Sequence, residues 1–580
     1  MGLSTKTQKK LWYITPTSSE SEQLAQSLNI SPLVAQVLIN RDICDTQQAS
    51  LFLDPKLASL IKPEEMPGVP EAVERIAKAI KNNEKITIYG DYDVDGITSV
   101  SILLHLLKLL EANADFYIPH RINEGYGLNL DAVKSLAQSG TQLLITVDCG
   151  IGAIEAAKQL KKLGVDLIVT DHHQLDKELP TAAAIVHTAL DPDYPNPFSC
   201  GAMVAYKLAW ALANEFNPSQ RLDPPLRNFM INATTLAAMG TIADVMDLRG
   251  ENRILVSYGL KALPQCQLSG IQALIDSTNL TGQGLDSFHV GYRLAPMLNA
   301  AGRMGHARLA VELITSENHM RSMQIADYLK QQNDLRRSCE KKMLKQAYEL
   351  ITQLGFNHPD RKSIVLANDN WHVGVVGIVA SRIVDKYYKP TIMINTSNGI
   401  AHGSARSVKG FNILAAINSF SKYLISAGGH KMAAGVTLKT EKVPDFVDAI
   451  EEYAQQHLIN DDNIDKLTID SQAKLEQFTE KTVRELENLG PFGQGNPEPI
   501  FATKGVRLYS PPRKVGSKND HLQVAIKDNT GSLKCIGFGM GKYEKKLLEN
   551  EFFNVAYQPQ MNTYNGHSSV QLVLTDIQFE

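Results

Sequence analysis

The feature of this chain that most constrains its fold is the alternation of short apolar runs with helical stretches between about residues 70 and 250. The helix-like stretch EAVERIAKAIKNN precedes the apolar run KITIYG, and two further apolar runs, QLLITVDCG and VDLIVTDHH, follow after helix-like stretches. Short β-rich runs separated by helices of about 10–15 residues are typical of βαβ units. The sequence therefore predicts an α/β domain built on a mostly parallel sheet.

The rest of the chain predicts four further parts. Helical spacing marks the N-terminal stretch, a long helical pattern follows the first α/β domain, and the C-terminal stretch is β-rich with frequent turn residues, as in a small β-barrel. The predicted boundaries are a helical extension over 1–65, the first α/β domain over 66–305, connecting helices over 306–358, a second α/β unit over 359–460 and a β-barrel over 466–580.

Composition places the chain among ordinary globular proteins. Its 580 residues, 43% hydrophobic and 21% charged, are enough for several packed cores. The net charge of −4 gives no overall basic surface, so a polyanion would need a local groove. The six cysteines form no CxxC pair, which argues against a zinc site or a disulfide framework. No stretch is typical of a signal peptide or a membrane span, so we expect a cytoplasmic protein with no membrane partner.

Acids and imidazoles stand where predicted strands or helices of the first α/β domain end. Because the carboxyl ends of parallel strands meet at one edge of a sheet, we expect these side chains to converge. At about 4 Å and an effective dielectric near 20, each pair of carboxylates costs roughly 4 kcal/mol, so the cluster needs either protons or cations. Carboxylates with an imidazole suit Mn²⁺ or Mg²⁺, and a shared aspartate gives a two-metal site for displacement at phosphorus. The residues are Asp91, Asp93, Asp95, Asp148, Asp171, His172, His173 and Asp244.

Each of these motifs also has a purely structural interpretation. DxDxDG begins like a calcium loop, although Ile102 stands where such a loop requires a glutamate. Asp148 could be the N-cap of a helix in GIGAIEAAKQL, and the DHH tripeptide could lie in a solvated loop. All four motifs together favour a metal site.

The motifs DYDVDG, VDCG, TDHH and GTIAD, in this order, resemble the DHH phosphoesterase superfamily. The resemblance extends over nearly the full chain through IPHRINEGYGL, LNAAGR, NDNWHVGVVGIVASRI, HGSARS, GGHKMAAG and LGPFGQGNPEPIF, and it points to the bacterial exonucleases of this superfamily that degrade single-stranded DNA from the 5′ end. It implies a DHH-type catalytic domain, a DHH-associated substrate-binding domain in the second α/β unit, and an OB-fold nucleic-acid-binding barrel.

The resemblance implies a two-metal site for Mn²⁺ or Mg²⁺. Asp93 and Asp95 would bind the two cations, Asp148 would bridge them, and His172 and Asp244 would complete the ligand sets.

Two further residues of the catalytic site follow from the same resemblance. Asp91 would support the metal site, for example through a water molecule, and His173 would contact the scissile phosphate. Hydrolysis would release 5′ mononucleotides, with the 3′ oxygen as the leaving group.

An exonuclease must also hold the end of its substrate. In GSARS, Arg406 stands between Ser404 and Ser407 in what reads as a turn-like segment. A guanidinium, hydroxyls and backbone N–H groups suit a terminal phosphate, although a surface arginine on a turn has the same sequence. The resemblance favours a pocket for the 5′-phosphate.

Other substrate-binding candidates come from the shared motifs. Arg121 in PHR and Arg303 in NAAGR would contact the phosphate backbone, and His430 in GGHKM would lie near the cleft. Trp371 and His372 could stack on a base, but core packing is equally compatible with the tryptophan.

Basic and aromatic residues of the predicted barrel suit single-stranded nucleic acid, which OB-folds bind by stacking and by charge. A solvated loop and core tyrosines remain an alternative. The residues are Arg513, Lys514, Lys518, Tyr509, Tyr557 and Tyr564.

The chain departs from the family pattern at two places. IVHTALDP, with His187 and Thr188, stands where an NP pair is usual, and CGAMVAYK replaces GAGVAYK. Neither change removes an expected metal ligand.

Together with the acid cluster, the resemblance implies a metal-dependent exonuclease that degrades single-stranded DNA 5′→3′ in recombination and repair. We expect a monomer that works with a helicase and a single-strand-binding protein. Two alternatives remain open: a DHH-family phosphodiesterase acting on oligonucleotides or cyclic dinucleotides, and a catalytically inactive single-strand-binding replication scaffold.

Overall fold

The computed structural model describes residues 10–121, 124–217, 219, 221–458, 466–564 and 566–579. Its strands, in chain order, are β1 (Leu11–Ile14), β2 (Ile86–Gly90), β3 (Ala114–Tyr117), β4 (Leu143–Val147), β5 (Asp166–Thr170), β6 (Ala184–Val186), β7 (Ile364–Asn368), β8 (Thr391–Asn395), β9 (Ile400–Arg406), β10 (Leu424–Gly429), β11 (Ala433–Lys439), β12 (Lys466–Ile469), β13 (Ser471–Gln472), β14 (Phe501–Val515), β15 (His521–Lys527), β16 (Ser532–Gly537), β17 (Phe553–Tyr564) and β18 (His567–Phe579).

Its α-helices are α1 (Ser21–Leu28), α2 (Pro32–Ile39), α3 (Thr46–Leu53), α4 (Val69–Lys81), α5 (Val94–Leu109), α6 (Leu130–Gln138), α7 (Ile154–Lys162), α8 (Gly201–Glu215), α9 (Pro224–Ala243), α10 (Gly250–Ala262), α11 (Ser269–Ser277), α12 (Ser287–His289), α13 (Ala295–Arg303), α14 (Ala307–Thr315), α15 (His319–Gln353), α16 (Val373–Tyr387), α17 (Ile413–Asn418), α18 (Val443–His457), α19 (Glu480–Glu487) and α20 (Glu544–Glu549). A π-helical segment, Val290–Leu294, joins α12 to α13. Within the described ranges, no helix combines the length and the apolar character needed to cross a bilayer.

The chain forms two compact units. One comprises residues 62–244 and 261–463, and the other comprises 1–61, 245–260 and 464–580. The domain boundaries drawn from the sequence stay a prediction.

The first unit contains the predicted parallel sheet, with strand order β3-β2-β4-β5-β6 and every pairing parallel. All residues of β2 and β4 are buried, as expected for strands covered by helices on both faces. Gly90 pairs with Val147, and Val147 pairs with Thr170, so β2, β4 and β5 end at the same level. The α/β prediction is confirmed, and this common edge places the acids that follow each strand.

A second, mixed sheet in the same unit has the order β10-β11-β9-β8-β7, with β7 and β8 parallel and the other pairs antiparallel. The expectation that GSARS forms a turn is wrong, because residues 403–406 lie within β9. Ser404 pairs with Met393 on one side and with Gly435 on the other. Pairing on both sides outweighs the low strand propensity of glycine and serine.

The 35-residue helix α15 precedes this sheet and is about 50 Å long. Its C-terminal half contributes Met343, Ala347 and Ile351 to a core with residues of β7 and α16. The predicted long helical pattern is therefore the short α14 followed by one continuous helix.

The second compact unit contains the barrel. The order β14-β15-β16-β18-β17 closes through pairing of β17 with β14, which confirms the OB-type architecture. Helices α1–α3 share its core, where Leu24, Val34 and Leu38 belong to one apolar cluster with Val483 and Phe501.

The N-terminal stretch was predicted to be helical throughout, but it begins with a strand. β1 pairs in parallel with β12, so Leu11 lies opposite Lys466. Because the partner strand is so distant in sequence, the only local indication of β1 is its four apolar or aromatic residues.

Candidate metal centre and phosphate pocket

The loops after β2, β4 and β5 bring acids and imidazoles into one small volume. These residues form three overlapping groups. Within each group, one ligand atom from every residue lies within 4.8 Å of the others. The groups are Asp91, Asp93 and Asp148; Asp95, His172 and Asp244; and Asp148, His172 and His173. All seven residues predicted for the catalytic site are therefore brought together.

The first part of this site is the loop from β2 into α5. Asp93 caps α5, because its Oδ1 accepts the N–H groups of Asp95 at 3.0 Å and Gly96 at 3.1 Å. A Cβ on Gly96 would lie 2.5 Å from the carbonyl oxygen of Asp91, so the loop closes on itself only with glycine there. The alternating aspartates and the glycine thus fit a tight strand-to-helix turn with converging carboxylates.

Asp95 is held by a second helix. Its Oδ2 accepts the N–H of Gly201 at 2.6 Å and its Oδ1 accepts the N–H of Ala202 at 2.8 Å, at the N-terminus of α8. The positive end of the helix dipole favours this carboxylate. A Cβ on Gly201 would lie 2.6 Å from Cβ of Asp148, so α8 also approaches the metal centre closely.

Asp148 lies at the centre of the cluster in a left-handed backbone conformation, with φ 61°. His172 Nε2 is 3.1 Å from Asp148 Oδ1 and 3.7 Å from both Asp95 Oδ2 and Asp244 Oδ2. The N-cap residue of α7 is Ala153, so the interpretation of Asp148 as a helix cap is wrong.

Among the described residues, burial and mutual repulsion dominate the electrostatics of this cluster. Burial, and then the neighbouring carboxylates, raise the pKa of Asp91, Asp93 and Asp148, and they raise the pKa of Asp244 to about 8. Asp91 Oδ1 is buried with no hydrogen-bond partner among the described residues. The carboxylates repel one another, and one of their buried oxygens has no described partner. Together with the imidazole, they are a donor set that fits divalent cations.

Asp171 belongs to the predicted cluster, but the sequence assigned it no role in the site. Its Oδ1 contacts His173 Nδ1 at 2.7 Å, and its Oδ2 accepts the N–H of Ile151 at 2.9 Å. Burial alone would raise the pKa of Asp171, but the hydrogen bonds from His173 and Ile151 lower it to about 2. Burial would lower the pKa of His173, and the Asp171 carboxylate raises it above the ordinary value. Asp171 therefore keeps His173 oriented and favours its cationic form.

Two more side chains position His173. The Tyr126 hydroxyl lies 3.0 Å from its Nδ1 and donates to the carbonyl oxygen of Asp148 at 3.1 Å. His187 Nδ1 accepts the N–H of Ala189, so its Nε2 carries the proton and donates to the carbonyl oxygen of His173 at 2.7 Å. His187, which departs from the family pattern, thus has a structural role, because it holds the backbone of the DHH motif.

Three arginines from distant motifs interact in the same unit. Arg303 Nη1 donates to the carbonyl oxygen of Gly374 at 3.1 Å, and Arg121 lies over the ring of Tyr92 at 4.7 Å. Arg406 Nη1 donates to Ser404 Oγ at 3.1 Å. Burial, and then Arg121, lower the pKa of Arg303 to about 9 and also lower the pKa of Arg406.

Within the described ranges, no carboxylate forms an ion pair with Arg121, Arg303 or Arg406. These mutually repelling guanidinium groups lie beside the aspartate loop, since Tyr92 belongs to it. A cluster of this kind favours a bound anion. The structure thus brings together Arg121, Arg303, Ser404 and Arg406 from the predicted substrate-binding set.

The remaining candidates of this unit are placed differently. The Ser407 hydroxyl is buried and donates to the carbonyl oxygen of Phe411 at 2.6 Å, so its proton is engaged within the protein. His430 is exposed at the β10–β11 turn, where its backbone N–H donates to the carbonyl oxygen of Ala433. Trp371 is buried in a core with residues of α15 and α16, which excludes base stacking, and His372 caps α16.

The barrel also separates its candidates. Tyr557 is buried and its hydroxyl lies 2.7 Å from Thr503 Oγ1, so the idea that it stacks on bases is wrong. Tyr509 is 63% exposed, and the side chain of Tyr564 lies outside the described residues. Phe538, 62% exposed and edge-on to the ring of His521, was missed because it follows β16 at an unremarkable GFG.

The basic residues of the barrel loop are Arg513, Lys514 and Lys518, and Lys514 is 3.2 Å from Glu544. Arg513 and Lys514 lie in β14, opposite Gln523 and Leu522 of β15. Lys527 lies over the ring of Tyr509 at 5.8 Å.

Three family models match the chain. The N-terminal domain of the DHH family matches residues 85–241, the DHHA1 domain matches 360–456, and the RecJ OB domain matches 469–576.

The chain is also similar to proteins of known activity or structure. It is 39% identical over 576 residues to the single-stranded-DNA-specific exonuclease RecJ of Bacillus subtilis, covering 98% of this chain and 71% of that protein. The crystal structure of RecJ from Thermus thermophilus with Mn²⁺ has a TM-score of 0.83 and 30% identity, covering 98% and 80% of the two chains. The Mg²⁺ complex from the same organism has a TM-score of 0.78 and 29% identity, covering 98% and 78%.

Proposed function

Because the chain belongs to the RecJ family of the DHH superfamily, we propose that it is a metal-dependent exonuclease that degrades single-stranded DNA from the 5′ end to mononucleotides. The observation that carries this proposal is an acid cluster next to an arginine cluster that forms no ion pair with a described carboxylate; the two clusters adjoin where Arg121 lies over the ring of Tyr92. Such a pair of sites binds cations and a phosphate side by side. The two Thermus structures are complexes with Mn²⁺ and with Mg²⁺, which supports either cation.

We assign one cation to Asp91, Asp93 and Asp148, and the other to Asp95, His172 and Asp244. Asp148 belongs to the first group and lies 3.1 Å from the imidazole of the second, which supports its bridging role. The sequence expectation gave Asp91 a supporting role, whereas its unpaired buried oxygen supports direct ligation.

When bound, the cations lower the pKa of water and neutralise charge on the reacting phosphate. Water adds to the phosphorus between the first and second nucleotides, and the 3′ oxygen of the first nucleotide leaves with a proton. The cationic form of His173, favoured by Asp171, donates a hydrogen bond to a phosphate oxygen as its charge rises. The products are a nucleoside 5′-monophosphate and a strand with a new 5′-phosphate.

The arginine cluster determines which end of the strand enters. Arg121, Arg303 and Arg406 hold the terminal 5′-phosphate, and Ser404 Oγ, which accepts from Arg406, offers its own proton to the same phosphate. Ser407 and His430 remain predicted contacts of the strand. A 5′-hydroxyl end lacks the charge that this pocket needs, which gives the reaction its direction.

The exposed rings of Tyr509 and Phe538 on the barrel supply stacking surfaces for bases further along the strand. We also propose, from the family, that the protein acts as a cytoplasmic monomer alongside a helicase and a single-strand-binding protein. Light scattering coupled to gel filtration gives the oligomeric state directly, and a dimer would contradict that part.

The decisive experiment uses purified protein with single- and double-stranded oligonucleotides labelled at either end, in Mn²⁺, in Mg²⁺ and in chelator. We expect mononucleotides from the 5′ end of single strands, cleavage only with a divalent cation, and little cleavage of blunt duplex. Release of nucleotides from the 3′ end first, or equal cleavage in chelator, would overturn the proposal.

A further inference from the structure

A second basic cavity adjoins the proposed 5′-phosphate pocket. It has a volume of about 240 Å³ and lies between the segment after β3 and the turn from α13 to α14. Arg121 lines it together with His120, His306 and Arg308. At about 30 Å³ per water molecule, the cavity holds about eight waters.

The charges of this cavity favour an anion. Glu124 is the acid among its described lining residues, and both of its oxygens are engaged: Oε1 accepts the Tyr117 hydroxyl at 2.6 Å, and Oε2 accepts the N–H of His120 at 2.7 Å. Arg308 forms no ion pair with a described carboxylate and lies over the ring of Phe116 at 4.7 Å. His306 and Arg308 are exposed, so an incoming ligand reaches both.

A glycine keeps the cavity open. Gly305 has φ 88°, and a Cβ there would lie 2.8 Å from Nε2 of His120. Two arginines and two imidazoles thus form one part of the lining, and Ile118, Pro119 and Leu309 are among the apolar residues that complete it. The two guanidinium groups suit several phosphate oxygens.

Arg121 lines this cavity and also interacts electrostatically with Arg303 and Arg406. A phosphate held by the three arginines consequently has the cavity beside it. Groups attached to the far side of that phosphate have a basic space to enter.

We propose that this cavity binds the second and third phosphates of a strand whose 5′ end carries a diphosphate or triphosphate, and that the enzyme degrades such ends directly. The inference rests on the proposed exonuclease function and extends its substrate class. The α-phosphate occupies the arginine pocket, and water adds to the phosphorus between the first and second nucleotides. The 3′ oxygen of the first nucleotide leaves with a proton, so the first product is a nucleoside 5′-triphosphate and the strand keeps a 5′-phosphate.

The test compares initial cleavage rates of single-stranded oligonucleotides of one sequence with a 5′-hydroxyl, a 5′-monophosphate or a 5′-triphosphate. We expect the wild-type protein to degrade triphosphate ends within about threefold of monophosphate ends and to release nucleoside triphosphate first. Arg308→Ala, Arg308→Gln and His306→Ala should each slow cleavage of triphosphate ends about tenfold and leave monophosphate ends unchanged. Lys158→Ala, an exposed lysine of α7 paired with Glu155, is the matched control.

The outcomes separate the two proposals. If monophosphate ends are degraded but triphosphate ends are rejected, the inference is wrong and the exonuclease function stands. If neither is degraded, the exonuclease function itself fails. Inorganic triphosphate, added with excess divalent cation, distinguishes a free polyphosphate site: inhibition that depends on Arg308, without cleavage of triphosphate ends, would also overturn the inference. Equal melting temperatures of the variants and the wild type exclude misfolding as the cause.

Discussion

Asp244→Asn should stabilise the metal-free protein at neutral pH, although it removes a proposed metal ligand. Asp244 is the C-cap residue of α9, and its Oδ2 is 3.7 Å from Nε2 of His172. Burial, and then Asp95, raise its pKa from 3.8 to about 8. A carboxyl group with a raised pKa in the folded state takes up a proton on folding, so the free energy of unfolding decreases as the pH rises from about 4 to about 8.

The magnitude follows from that interval. Between pH 3.8 and neutrality the cost accumulates at about 1.4 kcal/mol per pH unit, which gives at most about 4 kcal/mol. The Asp244 side chain is 31% exposed, so solvent screens part of the repulsion and we expect about 2 kcal/mol. Asparagine keeps the shape of the side chain and removes this cost. The gain should shrink as the pH falls toward 4 and vanish below that pH, where the wild-type carboxyl becomes protonated in both states.

The assay is thermal unfolding in chelator and in millimolar Mn²⁺, at about pH 5 and about pH 7.5. In chelator the variant should melt higher than the wild type, by more at the higher pH. In Mn²⁺ the order should reverse, because a ligand that binds only the folded state stabilises it more the more tightly it binds. Asp131→Asn, at an exposed position in α6, is the control and should show neither effect. A variant that gains no stability in chelator at pH 7.5 would refute the electrostatic reasoning, and equal stabilisation of both proteins by Mn²⁺ would refute the ligand assignment.

Three other substitutions test the remaining parts of the proposal. Asp148→Ala should reduce cleavage at least about 10³-fold with an unchanged circular dichroism spectrum, because it removes a shared ligand; wild-type cleavage would contradict the bridging role. Arg406→Ala should reduce the preference for 5′-phosphate over 5′-hydroxyl ends about tenfold, measured as a ratio of initial rates, and an unchanged ratio would remove Arg406 from the end pocket. Tyr509→Ala and Phe538→Ala should each weaken binding of long single strands by about 1–3 kcal/mol in fluorescence anisotropy, whereas unaltered affinity would leave the barrel surface without a stacking role.

The metal centre could be predicted from sequence because its ligands are tied to local signals. Asp91, Asp148 and Asp171 each follow directly after a buried strand, and the parallel register brings these three strand ends to one level. Once the βαβ pattern is recognised, topology alone brings the carboxylates together. Repulsion between the carboxylates then requires a counter-charge. The βαβ pattern therefore predicts both the fold and the position of the metal site.

The features that could not be predicted depend on contacts between distant segments. The β1 strand pairs with β12, and Val34 of α2 packs in the barrel core. The residue types and their spacing near the N-terminus do not indicate that these segments pack against the C-terminal part of the chain. Tyr557 and Tyr509 both lie on barrel strands, but which faces inward depends on a register that only the closed barrel fixes.

Asp95 provides the sharpest contrast with Asp244, because both acids belong to the same proposed ligand group but differ in what else holds them. The carboxylate of Asp95 accepts two N–H groups at the N-terminus of α8, at 2.6 and 2.8 Å, whereas Asp244 has no such partners among the described residues. An asparagine at position 95 keeps one acceptor and turns an amide NH₂ group toward the other N–H. Asp95→Asn should therefore destabilise the protein by about 1–3 kcal/mol even in chelator, opposite in sign to Asp244→Asn.

The same melting experiment measures both variants. If Asp95→Asn also stabilises the metal-free protein, then repulsion within the cluster outweighs the bonds to α8, and the helix N-terminus does not offset the charge of this carboxylate. If it destabilises, one acid of the cluster is a structural element of the fold as well as a ligand. Loss of activity on replacing Asp95 would then report on folding and metal binding together, and Asp148 and Asp244 would be the positions that report on the metals alone.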